Sequence, residues 1–200
     1  SRMRYGSEHK AETRARVVKS AAREIRLKGP EKVSVADVMS SAGLTHGGFY
    51  AHFSSKEKLI AEAIDAMFAD AQHRNPALDE TTVDKSADPR PALRKFLESY
   101  VSPEHRDGPE RGCPLPALAT DMARNSGAAR TRFAIGLDKM TSLIEAALVS
   151  INNDDPSAEA KAAVAQVVGA VALARAVGKG AQSDAILRDT LASLTKRLGI

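Results

Sequence analysis

Apolar residues in this chain recur at steps of three and four almost from end to end, and no stretch alternates convincingly with period two. An apolar stripe at helical spacing must be buried against another such stripe, so the pattern confines the fold to packed helices. Aromatic content of 4% and the absence of tryptophan lean the same way. The expectation is an all-α chain of about nine helices. Val18, Ala21, Ala22 and Ile25 mark the first, from about Ala11 to Lys28, and Gly29-Pro30 ends it. Ser34 starts a second, with Asp37 three residues on and Val35, Val38 and Met39 on the buried side; Gly43 stops it. Thr45 is the N-cap expected for a short helix reaching His52. Ser54 to Glu57 reads as a capping box for a long helix carrying Leu59, Ile64, Met67 and Phe68, which fades near Asn75.

Residues 75–88 read as a polar connector. Asp88-Pro89 opens an amphipathic helix marked by Leu93, Phe96, Leu97, Tyr100 and Val101. Residues 102–112 read as a loop. Helices over 113–124, 127–151, 157–177 and 182–198 complete the chain. The most apolar run, 162–177, is expected to be a buried helix, being short for a bilayer and carrying Gln166 and Arg175.

Charge is distributed unevenly. Residues 1–56 hold 11 Lys/Arg against 5 Asp/Glu, whereas the remainder holds 18 against 20. A basic first quarter points to an anionic partner there, although a solvated basic helix face is the plain alternative. The single cysteine, Cys113, excludes an internal disulfide framework and fits a reducing, cytoplasmic setting. The opening SRMRYGSEHK has no apolar core, so no signal peptide is expected. His9, His73 and His105 lack ligand-like spacing, and no metal or cofactor is expected.

Residues 34–52 thus form two very short helices around a glycine turn, the layout of a helix-turn-helix whose second helix enters the major groove. Gly47 and Gly48 then allow close backbone approach to phosphate and base edges. Phe49 and Phe53 point inward, while Tyr50 and His52 project outward. The block from about Thr13 to Leu59, with AGLT followed by FYAHFSSKEKL, resembles the DNA-binding domain of the Tet repressor (TetR) family. The resemblance implies a helix-turn-helix DNA-binding domain over 1–55 and a helical ligand-binding and dimerisation domain over 56–200. It implies phosphate contacts from Thr45, Tyr50, His52 and Lys56, with Ser34 capping the second helix and touching the DNA backbone. His46, Gly47 and Gly48 fall where members of that family read bases. Arg26 departs from the family pattern, standing where an inward aromatic is usual.

Two functions follow. The first is a ligand-responsive transcriptional regulator: a repressor that binds double-stranded operator DNA as a homodimer and is released by a small-molecule effector. Leu97, Tyr100, Cys113, Leu118, Met122, Phe133, Leu137 and Met140 are the expected ligand-binding residues, and their character suggests an apolar or aromatic effector. Val164, Val167, Val168 and Val171, with Leu187, Leu191 and Leu194, are the expected interface on the last two helices. Cys113 precedes Pro114 at a helix start, where exposed N–H groups would stabilise a thiolate. A reactive sensing thiol stands there against a small buried side chain. The second function is a helical enzyme with an accessory nucleic-acid-binding domain. The chain has no P-loop, G-x-S-x-G or H-E-x-x-H to support it.

Overall fold

The computed structural model describes residues 2–79, 84 and 86–200; Ser1 and part of the 75–88 connector lie outside them. Among the described residues there are nine α-helices and no strand: α1 (Arg2–Lys28), α2 (Val35–Ser41), α3 (Lys56–Arg74), α4 (Arg90–Tyr100), α5 (Pro103–Asp107), α6 (Pro114–Ala123), α7 (Ala128–Ser150), α8 (Pro156–Ala176) and α9 (Ala181–Leu198). A six-residue 3-10 helix, His46–Ala51, stands where the second short helix of the motif was expected.

The helix stops follow local chemistry. Gly29 ends α1 at φ +81°, and its N–H donates to the Ile25 carbonyl at 2.8 Å. At the other end α1 runs well upstream of Ala11. Residues 6–12 are exposed, so they carry no apolar stripe by which the periodicity could have found them. Ser34 caps α2 as expected, its Oγ accepting the Asp37 N–H at 3.0 Å.

Other caps are shifted. The cap of α3 is Ser55 rather than Ser54, accepting from the Lys58 N–H at 3.1 Å. Glu57 therefore does not close a capping box. Its Oε1 instead accepts the Ala128 N–H, 3.3 Å away at the start of α7. Thr45 occupies the N-cap position of the 3-10 helix, but its hydroxyl accepts no capping hydrogen bond. Asp88 accepts the Arg90 N–H at 3.0 Å, one residue later than the expected Asp-Pro start.

The stretch read as a loop over 102–112 contains α5, capped by Ser102 through the His105 N–H at 3.1 Å. Five residues are too few for an apolar period to register. The connector is not wholly polar either, since Leu78 in the 3-10 turn Pro76–Leu78 is buried.

Two apolar clusters hold the chain together. One gathers Val17, Ala21 and Ile25 of α1, Val38 and Met39 of α2, Phe49, Phe53, and Leu59, Ile64 and Met67 of α3, closed by Leu118, Met122 and Ala129. The other packs α4, α7, α8 and α9 around Leu93, Leu97, Ile144, Leu148, Val167, Val171 and Leu194. Phe68 and Phe133 border both clusters, their rings 6.3 Å apart edge to face.

Two expectations about α8 change. The helix is 21 residues long and apolar enough to cross a bilayer by length and composition alone, so length does not argue for burial. Packing does: Val164, Val167 and Val171 sit in the chain's own core, as do Leu187 and Leu194 of α9. Those five side chains cannot also form a subunit interface. Val168 and Leu191 are only partly buried, and the large exposed apolar residue of α8 is Leu173, at 59%.

Candidate nucleic-acid interface and effector cavity

Gly43 closes α2 in the left-handed region at φ +74°, and the Leu44 N–H donates to the Met39 carbonyl at 2.9 Å. The chain then makes the 3-10 turn. Phe49 and Phe53 insert into the core with rings 5.5 Å apart and 23° from parallel, and the Arg14 guanidinium lies 4.5 Å over Phe53. With both phenylalanines inward, Tyr50 must face out, and it is 75% exposed.

Ser34, Thr45, His46 and Gly47 are exposed, and Gly48 and Lys56 are half-buried. A methyl placed on Gly47 would meet nothing within 4 Å. Gly48 is tighter, with the Met39 Cε 3.6 Å from the place of an added Cβ. His52 is not the outward side chain expected: it is half-buried, and its Nδ1 is shielded and without a partner. Its carbonyl accepts from the Arg14 Nε at 3.3 Å, which ties the end of the turn to α1.

Arg26 explains its own departure from the family pattern. It is buried, donating from Nε to the Ala22 carbonyl at 3.1 Å and from Nη1 to the Gly112 carbonyl at 3.0 Å. Asp70 stands 3.7 Å from Nη2. Where an aromatic would only fill space, this guanidinium joins α1 to the segment preceding α6. Arg26→Met is expected to lower unfolding stability by about 1–3 kcal/mol in urea titrations, because the Gly112 carbonyl loses a charged donor. Unchanged stability would mean that water satisfies that carbonyl.

Gly112 belongs to the wall of a cavity of about 570 Å³ enclosed by α3, α4, α5 and α7. Phe68, Phe96, Tyr100, Met140 and Leu143 give it apolar walls, while Gln72, Asn75, Arg132 and Lys139 add polar groups. Of the eight ligand-binding residues expected, Tyr100, Cys113 and Met140 line it. Leu97 is core, Leu118 and Met122 close the other cluster, and Phe133 and Leu137 pack alongside without reaching the cavity. His105, Gly112 and the residues of α3 were missed. They come from a short helix and a loop with no apolar signal, or from a helix read only as core.

At the inner end, His105 Nε2 accepts the Cys113 N–H at 3.0 Å, and Nδ1 lies 2.6 Å from the Tyr100 carbonyl. One ring nitrogen accepts, so the other carries the proton and donates to that carbonyl. Burial pushes the imidazole down to about 4, keeping it neutral. Cys113 is buried, and burial pushes its thiol up rather than down. The exposed helix start that would have stabilised a thiolate is covered, which overturns the argument for an activated cysteine.

A glycine-opened turn braced by two phenylalanines, beside a capped short helix, has the form of a helix-turn-helix domain. Residues 17–63 match the family model described as bacterial regulatory proteins, tetR family. Residues 17–63 are thus a TetR-family DNA-binding domain by sequence. It is 30% identical over 95 residues to the HTH-type transcriptional regulator TtgR of Pseudomonas putida, a match covering 48% of this chain and 44% of that protein. The chain thus spans about half the length of the curated relatives it matches first. A TetR transcriptional regulator from Chloroflexus aurantiacus has the same fold at a TM-score of 0.80 and 23% identity, covering 96% of each chain. A structure of AibR in complex with isovaleryl coenzyme A and operator DNA aligns at a TM-score of 0.65 and 17% identity, over 90% of this chain and 97% of that one.

Proposed function

We propose that this protein is a ligand-responsive transcriptional repressor. It binds operator DNA as a homodimer and is released when a small effector fills the cavity between α3, α4, α5 and α7. The observation that carries the reading is the open backbone at Gly47, flanked by exposed Thr45, His46 and Tyr50 and rigidly backed by Phe49 and Phe53. Residues 1–55 act as the reading unit and 56–200 as the effector and dimer unit. One short turn reads few bases, so a two-fold axis is needed to bring a second half-site into play.

The dimer forms through the outer faces of α8 and α9. Leu173 is exposed there, and an added methyl at Gly169 would meet nothing within 4 Å. AibR, with the same fold, was crystallised with both an acyl coenzyme A and its operator, which supports pairing such a cavity with DNA reading. The relatives are transcriptional regulators, which supports this reading over an enzyme, and a cytoplasmic site of action accords with it.

Selection of bound duplexes from a random pool tests the reading, and a palindromic consensus is expected. Lys56→Ala should weaken binding to all sequences alike and reduce the slope of log K against log salt by about 0.9, the loss of one phosphate contact. His46→Ala should alter the consensus without that change of slope. Binding that is weak, salt-insensitive and without a consensus would end the proposal.

A further inference from the structure

We infer that the inner end of the cavity is an anion subsite, and that the effector is an apolar molecule bearing one carboxylate. The inference rests on the effector reading of the same cavity. Tyr100 lines the cavity and is 4% exposed, yet its hydroxyl has no hydrogen-bond partner. The Cys113 thiol lies beside it and interacts with it without completing a geometric hydrogen bond. Arg175 reaches the same place from α8. Its Nε donates to the Arg106 carbonyl at 3.0 Å and its Nη2 to the His105 carbonyl at 2.7 Å. Nη1 is buried and donates to nothing.

This guanidinium stands directly behind the cavity wall, since a Cβ on Gly112 would lie 3.0 Å from Nη2. Among the described residues, no carboxylate comes within 4.0 Å of it. Two carbonyl dipoles hold it directly, and Glu110 and Asp107 act on its charge only from farther away.

A half-buried guanidinium with one shielded, idle N–H group, next to a buried hydroxyl without a geometric partner, is a costly arrangement unless something else completes it. His105 cannot do so, because both ring nitrogens are engaged. A carboxylate that opens the packing at Gly112 would take one hydrogen bond from Arg175 Nη1 and one from the Tyr100 hydroxyl, the first of them charge-assisted. Phe68, Phe96, Met140 and Leu143 would then enclose its hydrocarbon body. The apolar effector expected from the sequence becomes an amphipathic acid.

Octanoate and phenylbutanoate, each compared with its own primary amide, are suitable probes for calorimetric titration of the full-length protein. At least one acid should bind about tenfold or more tightly than its amide, as expected for a charge-assisted bond in a buried site. Tyr100→Phe should erase most of that preference by weakening acid binding more than amide binding, without lowering thermal stability, because the lost hydroxyl makes no geometric hydrogen bond inside the protein. Arg175→Gln should erase the preference too, at some cost in stability through the two carbonyls it holds.

Acids and amides binding equally, amides binding better, neither acid binding, or a preference surviving Tyr100→Phe would each overturn the anion subsite. Operator release distinguishes the two levels. Amides that bind and release DNA as well as acids do would sink the subsite and keep the regulator. Acid binding without any change in operator affinity would keep the subsite and sink the regulation.

Discussion

Phe49→Ala is expected to abolish operator binding and to remove about 3–5 kcal/mol of stability, the range for emptying a fully buried phenylalanine site. Phe49 is 1% exposed and carries the 3-10 turn on its back. Its ring stacks on Phe53 and meets Tyr50 edge to face at 5.1 Å. Three short pieces converge there: α2, the turn and the start of α3. The first two are too short to hold their shape alone, so the cavity left by the ring would be filled by collapse of the turn itself. Denaturant titration followed by circular dichroism would read the loss directly. Tyr50→Phe provides the contrast: an exposed hydroxyl should change stability by no more than about 0.5 kcal/mol while weakening DNA binding. A stable Phe49→Ala protein that still binds its operator would show that the turn is held by something other than this ring pair.

Acidification should destabilise the cavity through His105. In the folded chain this imidazole is held down to about 4 by burial, against 6.5 for a free side chain. Between those values the unfolded chain takes up a proton that the folded chain refuses, so the unfolded state is favoured increasingly as pH falls. The stability in question is fully present above pH 6.5, declines below it and levels off near 4. The total loss is about 3 kcal/mol. Protonation would also destroy the acceptor for the Cys113 N–H and set two donors against each other. His105→Gln, which cannot titrate, should flatten this part of the pH profile. Subtracting the two profiles cancels the other histidines, and parallel profiles would mean that His105 takes up its proton alike in the folded and unfolded chains.

The division between legible and illegible features has physical causes. The helix-turn-helix could be read because local signals agree there: a serine cap at Ser34, a glycine stop at Gly43 and two inward aromatics four residues apart. The neighbouring serines 54 and 55 could not be told apart, since both offer a hydroxyl and only the backbone path chooses between them. For α8 the difficulty was different. Valines and alanines surround that helix, so its sequence does not say which side meets the core, and Val164, Val167 and Val171 were placed on the wrong one. The cavity was the least legible part. It is a property of segments far apart in sequence, and its most telling groups, the Tyr100 hydroxyl and the Arg175 Nη1, stand out only through the partners they lack. Arg26 signalled an irregularity in the sequence, but the reason for it, the Gly112 carbonyl, lies 86 residues away.

Glu57 and Arg26 together have a mechanical consequence. Each adds a polar tie between distant segments, Glu57 from the start of α3 to the first N–H of α7 and Arg26 from α1 to the carbonyl of Gly112. Both ties reinforce the apolar packing of α1 and α3 against α6 and α7, so a displacement of α7 or of the Gly112 segment is passed to the core that carries the turn at Gly47 by side-chain packing as well as by hydrogen bonds.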